Sequence, residues 1–121
     1  GRLAAAAHRA VLDAGALARP PQAGRHLYAD LGPLRAGLAA RGVTDSLELE
    51  SHLGAHLGAP ATGGHRFGDE LGALRVRFGT GMFLGDTAEE RAETLATSSP
   101  ETLPHVARKL SEFGRFLEEL R

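Results

Sequence analysis

The chain has 121 residues, a formal net charge of −1 from 14 Lys plus Arg against 15 Asp plus Glu, and no cysteine. That length holds one domain with a modest core and falls short of a typical two-domain enzyme. The balanced charge, without a basic run, excludes the footprint of a nucleic-acid binder; the missing cysteines exclude disulfides, thiolate metal sites and a cysteine nucleophile and fit a cytoplasmic protein; and no apolar run approaches the ~20 residues needed to span a bilayer.

Leu3, Ala7, Ala10, Ala14 and Leu17 recur at helical spacing until Pro20 and Pro21 cut the pattern, which predicts a first helix. Residues 1–19 are Ala- and Arg-rich but lack the Ser enrichment of a transit peptide, so a plain amphipathic helix is the better reading. The chain opens Gly1, Arg2, Leu3, and Ala4 to Ala7 already read as helix interior, so the single domain spanning 1–121 is expected to be part of something longer. After Gly24, Arg25 to Leu31 alternates around Tyr28 and reads as a strand. Pro33 opens a helix lined by Leu34 and Leu38 and stopped at Gly42. Asp45 with Glu48 forms a capping-box variant for a helix lined by Leu49, Leu53 and Leu57.

Gly58, Pro60, Gly63 and Gly64 bracket a very short strand at Ala59 to Thr62, ahead of a loop reaching Phe67 and Gly68. The next strand carries Leu74, Val76 and Phe78 on one face and Arg75 and Arg77 on the other. Thr87 with Glu90 caps a helix running to about Ala96, and the last helix starts near Pro104 with Val106, Leu110, Phe113, Leu117 and Leu120 as its buried stripe, widened by Phe116. Phe67, Phe78, Phe83, Phe113 and Phe116 are assigned to the core. Three strands among five helical patterns predict an α/β fold, an α+β sandwich in which helices cover a small, largely antiparallel sheet.

Two arginines on one strand face can hold a carboxylate or phosphate, since each guanidinium offers two parallel donors to two oxygens, but spacing alone favours the wetted face of an antiparallel sheet. His52 and His56 lie one helical turn apart with Glu48 a turn earlier, but neither a His-Glu-x-x-His motif nor a third ligand accompanies them, so no metal site is expected. His65, beside Arg66 in the glycine loop, is positioned for either ligand contact or plain solvent exposure, the default for a polar loop residue. The glycines from Gly63 to Gly85 form neither a dinucleotide fingerprint nor a P-loop, and no nucleophile elbow is present.

The stretch Ala23-Gly24-Arg25-His26-Leu27-Tyr28-Ala29-Asp30-Leu31, the helix start at Asp45 to Glu50, the loop from Gly64 to Gly68 with its Phe-Gly pair, and Leu74-Arg75-Val76-Arg77-Phe78 follow one another in order and spacing. Together, from about residue 3 to 121, they resemble the C-terminal small domain of the fold-type-I, pyridoxal-phosphate-dependent aminotransferases. The resemblance implies amino-group transfer between an amino acid and a 2-oxo acid, pyridoxal 5'-phosphate held mainly by a large domain outside this chain, and a homodimeric parent. It implies that Arg75 binds the substrate α-carboxylate, with Arg77 as its alternate two residues on and Gly24 and His65 as further substrate contacts. No residue of this chain is expected to be catalytic. The chemistry requires a lysine, and Lys109, the only one, belongs to the terminal amphipathic helix, so the chain alone is not expected to catalyse transamination. Arg25 and His26 stand where relatives are often aromatic, and related decarboxylase, lyase or synthase chemistry shares the scaffold. The alternatives are a stand-alone α+β module that binds an anion or a partner protein without chemistry, and a remnant that keeps only the fold.

Overall fold

A computed structural model describes residues 1–19, 26–58 and 61–121. Helix α1 (Arg2–Asp13) buries Leu3, Ala4, Ala7 and Val11. It is shorter than its apolar spacing predicts. Gly15 takes a φ of +94°, a conformation that disfavours any residue with a Cβ, and this reverses the chain into a two-residue strand, β1 (Leu17–Ala18). Leu17, expected on the helix, therefore lies on a sheet edge.

Strand β1 pairs antiparallel with β2 (His26–Asp30), the strand read around Tyr28. Strand β4 (Arg75–Gly79) pairs antiparallel with β2 on one side and with β3 (Ala61–Gly63) on the other, giving the order β1-β2-β4-β3. The expected mixed architecture is present, with four strands in place of three. Alternation works as the period-two pattern requires: Leu27, Ala29, Val76 and Phe78 are buried, and Tyr28, Asp30, Arg75 and Arg77 share the opposite face.

Pro33 opens a 3₁₀ turn (Gly32–Leu34) that runs into α2 (Arg35–Ala39). Helix α3 (Ser46–Leu57) starts where the capping box places it: Asp45 Oδ1 accepts the Glu48 N–H at 2.8 Å, while the Glu48 carboxylate reaches back to the Thr44 N–H at 2.8 Å. Thr87 caps α4 (Ala88–Ala96) in the same way, with the Glu90 carboxylate turned back to the Asp86 N–H. Helix α5 (Pro104–Glu118) buries Val106, Phe113 and Leu117, and Leu120 completes the stripe just beyond its end.

The core is fixed where α5 meets the sheet. Phe113 packs edge-on against Phe78 at 5.2 Å and Phe83 at 5.3 Å, the arrangement in which a ring's positive edge meets another's negative face. Gly37 lets the chain end dock on α2, since a Cβ there would lie 1.5 Å from the Leu120 carbonyl oxygen. Phe67 departs from its expected place in the core. The 3₁₀ turn Gly64–Phe67 and Gly68, at φ +94°, swing it onto the outer sheet face, where it is 45% exposed. Among the described residues no helix is long and apolar enough to cross a membrane.

Candidate functional site

The helices pack on one face of the sheet, so the other face is where a ligand can meet side chains held on a rigid frame. Register sets its layout. Arg75 stands opposite Asp30, and Arg77 stands between Tyr28 on β2 and Thr62 on β3. A neighbouring pair of strands brings facing side chains within reach of each other, which turns two sequence-distant segments into one charged cluster.

Arg75 is 47% exposed and sits between two carboxylates: its Nε lies 3.5 Å from Asp30 Oδ2, and its Nη1 lies 3.3 Å from Asp69 Oδ1. Each carboxylate is anchored by a second donor. Asp30 Oδ1 accepts the Gly32 N–H at 2.8 Å, and Asp69 Oδ2 accepts the Tyr28 hydroxyl at 3.2 Å. Asp69 itself is fixed to the glycine loop, where its N–H donates to the Gly64 carbonyl at 3.1 Å. Gly64 is required for this approach, because a Cβ there would lie 2.5 Å from Asp69 Oδ2. The hydrogen bond to Asp30, followed by the charges of Asp69 and Asp30, holds the Arg75 guanidinium more firmly protonated. Burial first, then the Asp69 charge and hydrogen bond, raise the Tyr28 phenol above its usual 10.0.

The two contacts of Arg75 are long. Charge-assisted N–H···O bonds at full strength measure about 2.7–2.9 Å. Arg66 meets that standard, forking onto Glu50 at 2.7 Å and 2.7 Å; this bond, its largest influence, pulls the Glu50 carboxyl down to about 2. Arg2 on Glu101 at 2.6 Å and Lys109 on Asp86 at 2.8 Å are likewise fully engaged. Arg75 therefore retains donor capacity that Arg66 has spent.

An open groove of about 710 Å³ runs beside Arg75, lined by Leu12, Leu17, Arg19 and Tyr28, with Asp30 and Asp69 next to the guanidinium. The volume falls within the range of small-molecule sites, about 300–1,000 Å³. Arg77 does not line it. Its guanidinium lies 4.3 Å over the Phe67 ring, which in turn meets Tyr28 edge-on at 5.9 Å, and among the described residues no carboxylate pairs with it. His65 is turned to the helices, its Nδ1 2.6 Å from the hydroxyl of the fully buried Ser46, and is not part of the groove wall. Gly24 lies outside the described residues.

Pyridoxal phosphate, which the resemblance implies, needs a lysine amine, and the residues present do not fit it. Lys109 is paired with Asp86 and borders a separate cleft of about 140 Å³ with His56, Met82 and Phe116. The His52 and His56 rings lie 4.2 Å apart, tilted by 35°, and both neighbour Phe116; burial, then His56 and Arg41, lower the His52 pKa, and among the described residues no three ligand side chains converge on a metal position.

Asp69, Tyr28, Asp30, Leu12 and Leu17 escaped the sequence reading of the site. Tyr28 and Asp30 share parity on one strand as Arg75 and Arg77 do on the other, a signal that register alone converts into contact. Asp69 directly follows Gly68, whose left-handed conformation folds it back over the loop. Comparison with family models, with curated proteins and with solved structures gives no match to this chain.

Proposed function

We propose that the chain is the substrate-carboxylate-binding domain of a pyridoxal-phosphate-dependent aminotransferase, with Arg75 as the clamp. The observation that carries this reading is the state of Arg75: an exposed, permanently charged fork at the wall of a ligand-sized groove, aimed by two anchored carboxylates yet bonded to neither at full strength. A substrate carboxylate can take the Arg75 donors in bidentate geometry, and a clamp of that kind orients an amino acid for reaction at Cα. Arg77, cushioned on Phe67, is the secondary anchor on the same face. The exposed apolar side chains there, Leu17, Tyr28 and Phe67, fit a face that a second domain covers. Lys109 is tied to Asp86, so the cofactor and its lysine are assigned to another part of a homodimeric parent.

The test is the coding sequence upstream of Gly1 together with the kinetics of the protein it encodes. The proposal expects a large α/β domain with a cofactor lysine, and an Arg75→Ala variant that keeps its cofactor absorbance while KM for the amino donor rises strongly. A start codon just upstream of Gly1, or an unchanged KM in Arg75→Ala, would overturn it. In the first case the domain would be a free-standing anion-binding module; if Arg77→Ala were the damaging variant in the second, the clamp would move by two residues.

A further inference from the structure

His52 is held where an imidazole is comfortable neutral and is penalised when charged. Its Nε2 is buried and has no hydrogen-bond partner. A neutral ring can leave that nitrogen bare and carry its proton on Nδ1, whereas an imidazolium is a donor at both nitrogens. Charging His52 therefore places an N–H where no acceptor meets it, and a buried orphan donor is destabilising.

The neighbours of His52 act in the same direction. The His56 ring, one turn on in α3, lies 4.2 Å away, and His56 Nδ1–H donates to the His52 carbonyl at 2.9 Å, which fixes the two rings side by side. Arg41, just beyond α2, donates to the Gly37 carbonyl at 2.9 Å and the Glu119 carbonyl at 2.7 Å; among the described residues no carboxylate pairs with it, so it keeps its whole positive charge. Burial first, then the charges of His56 and Arg41, hold His52 below the usual 6.5. From α5 the Phe116 ring lies 5.9 Å from His52 and 5.9 Å from His56. Lys109 and Glu112 of α5 border the cleft with His56; Lys109 is tied to Asp86, and Glu112 is not among the charges acting on His52. Glu48, a turn earlier on α3, is turned to Thr44.

We infer that the ring cluster of His52, His56 and Phe116 is an acid-labile joint between α3 and α5, which protonation of His52 loosens. The joint does not involve Arg75 and stands or falls apart from the reading of the outer sheet. Above 6.5 the ring is neutral in folded and unfolded chains alike and the joint is closed. As pH falls below 6.5 the unfolded chain takes up a proton that the folded chain resists, and stability is lost until the folded ring is protonated too. Phe116 lies in the last turns of α5, so the loosening starts there.

The test uses the whole chain between about pH 7.5 and 5.5, where carboxylates stay ionised and imidazoles titrate. NMR of the His52 ring protons is expected to give a titration midpoint below 6.5. Across the same range, hydrogen-exchange protection in the second half of α3 and the last turns of α5 should fall about two- to fivefold more than protection in β2 and β4, the scale of one charge contact at a partly exposed site. His52→Phe keeps a ring beside Phe116 without the charge and should remove that difference. His56→Gln, at an exposed side chain that folding does not depend on, should move the His52 midpoint towards 6.5.

A His52 midpoint at or above 6.5 would overturn the inference. So would protection in α5 that falls no further than in the sheet, a pH dependence carried unchanged into His52→Phe, or a His52 midpoint that stays in place in His56→Gln.

Discussion

Replacing Gly64 by alanine separates the geometry of the arginine cluster from the stability of the fold. The added Cβ would lie 2.5 Å from Asp69 Oδ2, 3.2 Å from Asp69 Cβ and 3.1 Å from Arg75 Cβ. The Arg75 carbon is fixed on β4 and needs to yield only a few tenths of an ångström, whereas the Asp69 carboxylate ends a short side chain that can rotate away. Rotation breaks its hydrogen bond from Tyr28, which costs about 0.5–1.5 kcal/mol. The exposed contact with Arg75 adds little. Against this, Gly64 is not among the glycines at positive φ, so alanine restricts the unfolded chain and returns about 0.4–1 kcal/mol. The two nearly cancel, and the melting temperature should move by no more than about 6 °C. The site reports the change directly, because Tyr28 is the only tyrosine and tryptophan is absent. An ultraviolet titration of the phenol should show the raised Tyr28 pKa falling back towards 10.0 in Gly64→Ala. A loss of more than about 10 °C would mean that the loop cannot shed the clash by side-chain motion. A Tyr28 titration identical to that of the parent chain would refute the link from Asp69 to Tyr28.

Gly37→Ala should behave oppositely: its Cβ meets the Leu120 carbonyl oxygen at 1.5 Å, and backbone cannot rotate aside, so urea unfolding should show a loss of at least about 1–3 kcal/mol. Phe113→Ala removes the ring shared by Phe78 and Phe83 and should cost about 3–5 kcal/mol in the same assay. The Glu50 carboxyl, lowered from 4.5 to about 2, contributes stability that is complete above 4.5 and lost as pH falls from there towards 2. Glu50→Gln should flatten that acid limb in pH-dependent melts, and an unaltered limb would assign it to other carboxylates.

Much of the fold was legible because it rests on local chemistry. Asp45 and Thr87 announce their helices through side-chain oxygens that must satisfy orphan N–H groups, and the alternation from Leu74 to Phe78 follows from the pleat of a half-buried strand. What failed locally was decided by tertiary context. The spacing of Ala14 and Leu17 continues the first helix, yet the positive φ of Gly15 ends it, and the two-residue strand that follows gains its hydrogen bonds from β2. Phe67 reads as core by composition but is carried outward by the glycine loop. For the site, alternation placed Arg75 and Arg77 together on the outer face. Their partners could not be read, since Asp30 and Asp69 approach Arg75 across 45 and 6 residues of sequence through strand register and a loop reversal.

The claim at the centre of this account, that Arg75 is the group offered to a substrate carboxylate, is tested most directly by following the arginine Nε–H resonances while the chain is titrated with 4-methyl-2-oxopentanoate. Arg66, saturated by Glu50, serves as an internal control. The account predicts a saturable shift of the Arg75 resonance together with the Tyr28 ring, and no shift at Arg66. A flat Arg75 resonance, or one that moves no more than that of Arg66, would contradict it.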